Sequence, residues 1–264
     1  MEEVPHMTAE ERVQAIVERV RRDGFQAIDA LAEQYGVTPQ TIRRDVNLLC
    51  DRGLLRRRHG GVEWPAANEN LAYPARQVLN IEAKRQIAAL VAREVPPSSS
   101  LFFGIGTTPE ACAQALADHQ GLRVMTNNLN VALAFSRNPG CEVIIAGGKL
   151  RIPDHDVIGG DAIGFFDRFS VDIGIYGVGG VDESGTLLDF THEEVSMRQS
   201  LTQNCRQRFL VLDHSKFGRR ATVRGGHISE ASAVFTDRPL PSGIANRLAA
   251  DGVRVFVASN RSNH

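Results

Sequence analysis

The sequence lacks the features that mark several classes of protein. Its four cysteines, Cys50, Cys112, Cys141 and Cys205, are far apart, and no two of them have a metal-ligand or redox spacing. No apolar run approaches the length of a membrane span, and the acidic stretch 1–12 has no signal-peptide core. We therefore expect a cytoplasmic protein with no membrane contact and with reduced cysteines in its core.

The chain also lacks a net charge of either sign. Its 30 Lys and Arg residues oppose 31 Asp and Glu residues, which gives −1 at pH 7, so the placement of charge matters more than its sum. Between positions 43 and 58 two aspartates face six arginines: Arg43, Arg44, Arg52, Arg56, Arg57 and Arg58. Acidic residues gather elsewhere, as at Glu2, Glu3, Glu10 and Glu11. The sequence therefore has one local basic segment in a neutral chain.

The basic segment begins with a predicted helix over 39–51. Thr38 can cap the first backbone N–H groups, and Pro39 suits the first helical position because it has no N–H to satisfy. Ile42, Val46 and Leu49 recur at helical spacing and form the buried stripe. The opposite face carries residue types that read bases and grip phosphates, namely Gln40, Thr41, Arg43, Arg44 and Asn47.

A basic hairpin is predicted to follow this helix. Gly53 ends the helix as a left-handed cap, and residues 54–59 and 62–64 read as two short strands joined by a turn at Gly60-Gly61. Upstream, the sequence T-A-E-E at 8–11 forms a capping box for a first helix, and 28–35 is a second helix that Gly36 closes.

Two helices joined by a tight turn are typical of a helix-turn-helix, whose second helix enters the major groove. We therefore predict that 1–64 is a small, mostly α-helical, winged helix-turn-helix domain that binds DNA. The predicted contacts are Thr38, Gln40, Thr41, Arg43, Arg44, Asn47, Arg56, Arg57, Arg58 and His59. The same elements also fit a purely structural bundle, but the base-reading residues and the arginines coincide on one side.

The pattern changes after this domain. Residues 65–80 lose periodicity and contain Pro65 and Pro74, so we predict a linker. From 81 to 264, apolar runs at 101–105, 123–126, 141–148, 171–178, 209–213, 233–237 and 253–258 alternate with helical periods at 81–95, 129–137, 160–169, 191–207 and 240–251. This alternation predicts an α/β domain with a mainly parallel sheet covered on both faces.

Glycine and polar residues follow five of the predicted strands, at 104–108, 126–128, 147–149, 177–180 and 213–216. Ligands of parallel sheets bind beyond the carboxyl ends of the strands. At Gly106 the backbone is freed and Pro109 begins a helix, whose N–H groups attract an anion while Thr107 and Thr108 add hydroxyl donors. Lys216 can supply a positive charge to the same ligand. A phosphorylated small molecule fits this set, and so does a purely structural use of the glycines in tight turns.

No nucleotide-binding motif is complete. The third glycine of a dinucleotide fingerprint is missing after Gly104 and Gly106. Gly148-Lys149 is followed by Leu150, where a phosphate-binding loop of an ATPase needs Ser or Thr. We therefore predict no cofactor.

The titratable side chains near this edge can be interpreted as structural or as functional residues. His192 and His214 read as polar contacts rather than metal ligands. Glu194, at a predicted helix start, can orient a sugar hydroxyl or can simply favour the helix dipole. In an enzyme reading, Glu194 or Asp189 would be the base of a sugar-phosphate isomerase and Lys216 would hold the phosphate.

Several of these motifs together resemble one family, the DeoR-type bacterial transcriptional regulators. The N-terminal resemblance lies in VTPQTIRRDVNLL at 37–49 and LLRRRHGGV at 54–62. The C-terminal resemblance, to the family's sugar-phosphate sensor domain, lies in GIGTTPEA, TNNLNVA, IIAGGKLR, GVGGVDESGTLL, THEEV and DHSKFGR. The resemblance covers about 13–237 and implies a sensor fold similar to ribose-5-phosphate isomerase and CoA transferases.

The resemblance also implies roles for individual residues. Residues 25–44 become the helix-turn-helix, with Thr41, Arg43 and Arg44 on DNA. The effector contacts then include Gly106, Thr107, Thr108, Asn127, Gly147, Gly148, Glu194 and Lys216. We add Thr126 to these contacts because it lies at the same edge. One position departs from the family, because Gly104 stands where its members usually carry aspartate.

The function implied is a repressor of glycerol metabolism genes and not an enzyme. A homo-oligomer, dimer or tetramer, would hold double-stranded operator DNA until a phosphorylated effector, glycerol 3-phosphate or a sugar phosphate, lowered its DNA affinity. Two alternatives stay open: the isomerase, which has no use for the first sixty-four residues, and a DNA-bending architectural protein without a ligand.

Overall fold

A computed structural model describes residues 7–51, 53–65 and 71–258 of the chain. Two units meet in the sequence between Leu79 and Asn80, and we call them unit 1 and unit 2. Over the described ranges, none of the helices has the length and apolar character needed to span a membrane. Glu2, Glu3 and Arg52, named above for their charge, lie outside the described residues.

Unit 1 combines short helices with a small sheet. Its elements are α1 (Ala9–Asp23), β1 (Gln26–Ala27), α2 (Ile28–Tyr35), α3 (Pro39–Asp51), β2 (Arg56–Arg58), β3 (Gly61–Glu63) and α4 (Tyr73–Val78). The predicted bounds of α2 and α3 are confirmed, and so is the capping box of α1, in which Thr8 and Glu11 bond each other's backbone N–H groups. The core is made by the predicted stripes, since Ile16, Ile42 and Leu49 are fully buried.

The predicted hairpin forms, but its turn is one residue earlier than expected. Arg58 pairs with Gly61, so His59 and Gly60 make the turn, and the prediction of a Gly60-Gly61 turn is wrong. The reason is β1, a third strand that the sequence analysis missed and that pairs with β3. A Cβ on Gly61 would lie 2.2 Å from the Gln26 carbonyl oxygen, so this strand position requires glycine.

The segment 65–80, predicted as a linker, contains the helix α4. Tyr73 and Ala75 are buried, and Ala75 packs with Leu71 and Leu79 into the core of unit 1. Periodicity could not reveal this helix because it spans less than two turns. The predicted domain bounds of 1–64, 65–80 and 81–264 stay a prediction.

Unit 2 is an α/β domain. Its helices are α5 (Ile81–Glu94), α6 (Thr107–Leu116), α7 (Leu129–Phe135), α8 (Gly160–Phe166), α9 (His192–Gln203) and α10 (Ser242–Ala250). Its strands are β4 (Ser100–Phe103), β5 (Arg123–Thr126), β6 (Glu142–Ile145), β7 (Lys149–Arg151), β8 (Asp156–Ile158), β9 (Val171–Tyr176), β10 (Gly180–Val181), β11 (Thr186–Asp189), β12 (Cys205–Val211), β13 (Val223–His227), β14 (Ala233–Thr236) and β15 (Arg254–Val257).

The main sheet of unit 2 has seven strands in the order β15-β14-β12-β9-β4-β5-β6. Every neighbouring pair in it is parallel, as the alternation of strands and helices predicts. Side chains of successive residues point to opposite faces: Leu101 and Phe103 enter a core with α5, α6 and α7, whereas Phe102 enters a core with α8, α9 and α10. The sheet is therefore covered on both faces.

The helix bounds of unit 2 differ from the predictions, and α5, α7, α8 and α10 are each one to three residues shorter than predicted. α6 begins at Thr107 rather than at Pro109, which is its third residue. α9 ends at Gln203 instead of reaching 207, because Cys205 already pairs with Val171 in the sheet and this pairing outweighs helical periodicity. The hairpin β7-β8 and the antiparallel sheet β10-β11-β13 were not predicted, because none of their strands contains a run of more than two apolar residues.

Candidate functional site

The first candidate site is the exposed face of α3 in unit 1. Thr38 caps the helix, accepting the Thr41 N–H at 3.2 Å, and the two hydroxyls lie 3.0 Å apart. Gln40, Arg43 and Arg44 are exposed. Within the described ranges, Arg43 and Arg44 have no hydrogen-bond or ion-pair partner. Their guanidinium groups therefore face solvent as donors that a ligand can use.

The hairpin β2-β3 carries the other arginines. Arg57 donates a hydrogen bond to the Asn47 Oδ1, which ties the hairpin to α3. Arg58 pairs with Glu63 at 2.9 Å, and its guanidinium lies 5.8 Å from the centre of the Phe25 ring. Arg56 and the turn residue His59 are exposed. The structure thus holds the arginines of the hairpin beside the exposed face of α3.

An open groove lies between α3 and the hairpin, and we call it the arginine groove. It is lined by Gln40, Arg43, Asn47, Arg57 and Arg58, together with Asp29 at the start of α2. Several arginines beside amide side chains suit a polyanion whose phosphates bind cations and whose bases offer hydrogen-bonding edges. The ten residues predicted to contact DNA all lie on α3, its cap or the hairpin, and their individual roles stay predictions.

The buried face of α3 holds an ion pair that the sequence analysis missed. Asp45 accepts a hydrogen bond from Arg12 Nε at 2.7 Å, and both residues are less than a tenth exposed. The two residues are 33 positions apart, so no local pattern signals the pair. This contact fixes α3 against α1 and so orients the helix that lines the arginine groove.

The second candidate site is the carboxyl edge of the main sheet in unit 2. The five polar and glycine-rich segments follow β12, β9, β4, β5 and β6, which are consecutive neighbours in the sheet. Because these strands are parallel, their carboxyl ends lie at one edge. The prediction that these segments come together is confirmed.

The start of α6 is the part of this edge best suited to an anion. Gly106 occupies the N-cap position with φ +120° and provides no side-chain cap to the first turn. Thr107 is half-buried and Thr108 is buried. A helix start of this kind presents backbone N–H groups and the positive end of the helix dipole at the edge.

Thr126 and Asn127 lie beneath the edge and not on it. The Thr126 hydroxyl donates to the Phe103 carbonyl at 2.9 Å, and the Asn127 amide donates to the Val157 carbonyl at 3.1 Å. Both side chains are fully buried, so they hold β4, β5 and β8 together. Gly147 and Gly148 are exposed, and Gly148 has φ +140° where the chain leaves β6. Effector contact by any of the four stays a prediction.

The segment after β12 carries Lys216. Asp213 is buried and accepts the Ser215 N–H at 2.9 Å, which shapes a short 3₁₀ turn that ends at the half-buried Lys216. His214 Nδ1 lies 2.6 Å from Asp237 Oδ2, which fits the prediction of a polar contact.

A small pocket opens between the carboxyl ends of β4 and β9, at Gly104 and Gly177. From β4 the chain builds the sheet outward to β5 and β6, and it later returns to build β9, β12, β14 and β15 on the other side. Such a switch point is where open α/β sheets bind ligands. Three charged side chains line this pocket: Asp189 at the end of β11, and Glu194 and Arg198 four positions apart on α9.

These charges are held by a dense set of hydrogen bonds. Asp189 Oδ2 accepts from Arg198 at 2.7 and 3.1 Å, and Asp189 Oδ1 accepts the Gly179 N–H at 2.8 Å. Glu194 caps α9 by accepting the Phe190 and Thr191 N–H groups at 3.0 and 3.3 Å. The interpretation that Glu194 stabilises the start of this helix is therefore confirmed. Burial and the nearby Asp189 charge raise the pKa of Glu194. A hydroxyl contact by Glu194 stays a prediction.

Arg151 is a further member of this cluster that the sequence analysis missed. Its guanidinium contacts Asp156 at 2.8 Å, Asp154 at 3.3 Å and Glu194 at 3.3 Å. It therefore attaches the hairpin β7-β8 to the start of α9. The partner Glu194 is 43 positions away, so only the folded chain reveals the contact.

Comparison with known proteins matches both units to one family. Residues 12–67 match the DeoR-like helix-turn-helix domain, and residues 79–238 match the DeoR C terminal sensor domain. The chain is 43% identical to the glycerol-3-phosphate regulon repressor of Escherichia coli (strain K12) over 89% of its own length and 93% of that protein. It is 40% identical to the glycerol-3-phosphate regulon repressor of Haemophilus influenzae, over 95% and 97% of the two chains.

A solved structure also resembles part of the chain. A D-ribose-5-phosphate isomerase in complex with phospho-erythronic acid matches at 12% identity with a TM-score of 0.39, over 52% of this chain and 54% of that chain. No function follows from so weak a likeness.

Proposed function

The chain belongs to the DeoR family, and from that premise we propose that it is a DNA-binding repressor of the glycerol-3-phosphate regulon, released from its operator by a phosphorylated effector, sn-glycerol 3-phosphate. The observation that carries the proposal is the pairing, in one chain, of an arginine groove with a sheet edge suited to a phosphate. The match to repressors along most of the chain supports a regulator and not an enzyme.

The DNA half of the proposal assigns α3 to the major groove and the arginine hairpin to the phosphate backbone. Gln40, Arg43 and Asn47 line one groove with the hairpin arginines, which is the arrangement that a winged helix-turn-helix uses. We assign the predicted bounds to the parts accordingly: 1–64 for DNA binding, 65–80 for the linker, which includes α4, and 81–264 for sensing.

The effector half of the proposal assigns the two ends of one ligand. The start of α6 and Lys216 provide positive charge for a phosphate. Asp189 and Glu194, whose carboxylates line the neighbouring pocket, would repel a second anion but accept hydroxyl groups. A phosphorylated polyol has both ends, and glycerol 3-phosphate is a small one.

A second candidate is another sugar phosphate, and the geometry at Gly104 favours it. A Cβ on Gly104 would lie 3.5 Å from Leu201 and Tyr176, which is an ordinary contact, so packing does not require glycine there. The missing side chain leaves room in the pocket that a larger ligand can fill.

The same proposal places the protein in the cytoplasm. It also makes the protein a homo-oligomer, because paired half-sites mirror a two-fold protein.

Replacing either Arg43 or Arg44 with alanine is expected to weaken operator binding. A base-reading role predicts a loss of about 1–3 kcal/mol with relaxed sequence choice, whereas a phosphate role predicts a uniform loss and a salt slope lower by about one. A duplex is first selected by the full-length protein from a random-sequence pool and labelled. Fluorescence anisotropy of this duplex at several salt concentrations then measures the affinity and the salt slope of each variant.

Arg247, an exposed arginine of unit 2, provides the matched control. Arg247→Ala should bind the selected duplex as the wild type does. Wild-type affinity and wild-type salt dependence in both Arg43→Ala and Arg44→Ala would remove the arginine groove from the DNA interface.

A further inference from the structure

Asn80 occupies an unusual position in the chain. It is the first residue of unit 2, and it has φ +52°, a left-handed conformation that non-glycine residues rarely adopt. The preceding residue, Leu79, packs against the core of unit 1. The backbone at Asn80 is therefore the covalent start of unit 2, and its conformation is held at an energetic cost.

The side-chain amide of Asn80 donates a hydrogen bond to Asp213 Oδ1, at 3.0 Å. Asp213 is 2% exposed and lies two residues after the end of β12. The same carboxylate oxygen accepts the N–H and the hydroxyl of Ser215. Asp213 thus joins the start of α5 to the segment that carries Lys216.

Two lysines interact electrostatically with the Asp213 carboxylate. Burial alone would raise the pKa of Asp213, but Lys216, the Ser215 hydrogen bonds and Lys84 hold it below its usual value. Lys84 is 5% exposed and lies one turn after Asn80, whose carbonyl accepts its N–H at 3.1 Å. Positive charge on α5 and on the Lys216 segment therefore favours the ionised form of the Asp213 carboxylate.

We propose that Asp213 couples effector binding to the segment that enters unit 2, through its hydrogen bond to Asn80. This inference rests on the proposed function, in which Lys216 binds the effector's phosphate. A phosphate that binds Lys216 shifts the 3₁₀ turn that Asp213 shapes through Ser215, and the displaced carboxylate then loses its hydrogen bond to Asn80. Asn80 can leave the left-handed conformation, and the backbone between the two units changes.

The variant Asn80→Gly tests this coupling in the full-length protein. Glycine adopts the left-handed conformation without strain but cannot bond Asp213. We expect it to bind the selected duplex weakly even without ligand, and to show less than about a twofold response to glycerol 3-phosphate, against roughly 5- to 150-fold in the wild type. Linkage also requires it to bind glycerol 3-phosphate several-fold more tightly in titration calorimetry, a gain that mere structural damage would not produce.

Two further variants make the test decisive. Asn80→Asp places a carboxylate against Asp213 and should act in the same direction, whatever the fate of the glycine variant. Ser98→Gly relieves another left-handed residue of unit 2, the exposed Ser98 at φ +59°, and should leave both affinities unchanged.

If Asn80→Gly and Asn80→Asp keep the wild-type affinity for glycerol 3-phosphate and the wild-type response on the duplex, the coupling through Asp213 is wrong while the proposed function stands. If the wild type itself responds neither to glycerol 3-phosphate nor to sugar phosphates, the proposed function fails and this inference falls with it.

Discussion

Replacing Arg12 with methionine is expected to lower the free energy of unfolding of unit 1 by about 3–5 kcal/mol. Arg12 pairs with Asp45 at 2.7 Å between α1 and α3, and the two side chains are only 10% and 11% exposed. Removing the arginine leaves the carboxylate buried without its cation, and that loss is larger than the value of the intact pair. Urea unfolding of the full chain, followed by hydrogen exchange in α1 and α3, measures the change.

The same helix supplies a matched control. Arg22 pairs with Asp23, also at 2.7 Å, but its side chain is 73% exposed. Arg22→Met should therefore change the unfolding little, because water screens exposed pairs. The double variant Arg12→Met/Asp45→Leu should recover much of the loss. Equal unfolding of the Arg12→Met and Arg22→Met proteins would show that the buried pair does not hold α3.

The second large effect is expected in unit 2, for Arg198→Met. Arg198 donates two hydrogen bonds to Asp189, and both side chains are less than a tenth exposed. The variant should lose about 3–5 kcal/mol of stability because Asp189 stays buried beside Glu194 without its cation. Hydrogen exchange should increase in α9 and β11 and stay unchanged in α3.

Arg206→Met serves as the control in unit 2, since Arg206 is 80% exposed and lies 3.9 Å from Asp172. It should unfold as the wild type does. If Arg198→Met is as stable as Arg206→Met, then the charges of the pocket do not depend on each other as the hydrogen bonds indicate.

Much of unit 1 could be predicted because its signals are local. Thr8 with Glu11, Thr38 with Pro39, and the glycines that follow α1, α2 and α3 act within a few residues, so the bounds of these helices follow from the sequence. The third strand β1 could not be predicted, because two residues carry no periodicity. It was the pairing of β1 with Gly61 that moved the turn of the hairpin.

In unit 2 the sequence predicts which segments meet, because parallel strands bring their carboxyl ends to one edge. It does not predict which side chains reach the surface there. Thr126 and Asn127 look like ligand contacts in the sequence, yet both are fully buried. Arg151 and Arg198 escaped notice because their roles come from burial and from carboxylates on other elements, Glu194 and Asp189, which approach them only on folding.

The proposed function requires that one protein binds both operator DNA and a phosphorylated effector, and that the binding of each weakens the binding of the other. The most direct test titrates glycerol 3-phosphate into a complex of the full-length protein with its selected duplex, with glycerol and inorganic phosphate as controls. Glycerol 3-phosphate should raise the Kd for the duplex roughly 5- to 150-fold, and the controls should not. An unchanged Kd with glycerol 3-phosphate would reject it as the effector, and an unchanged Kd with sugar phosphates as well would reject the proposed function.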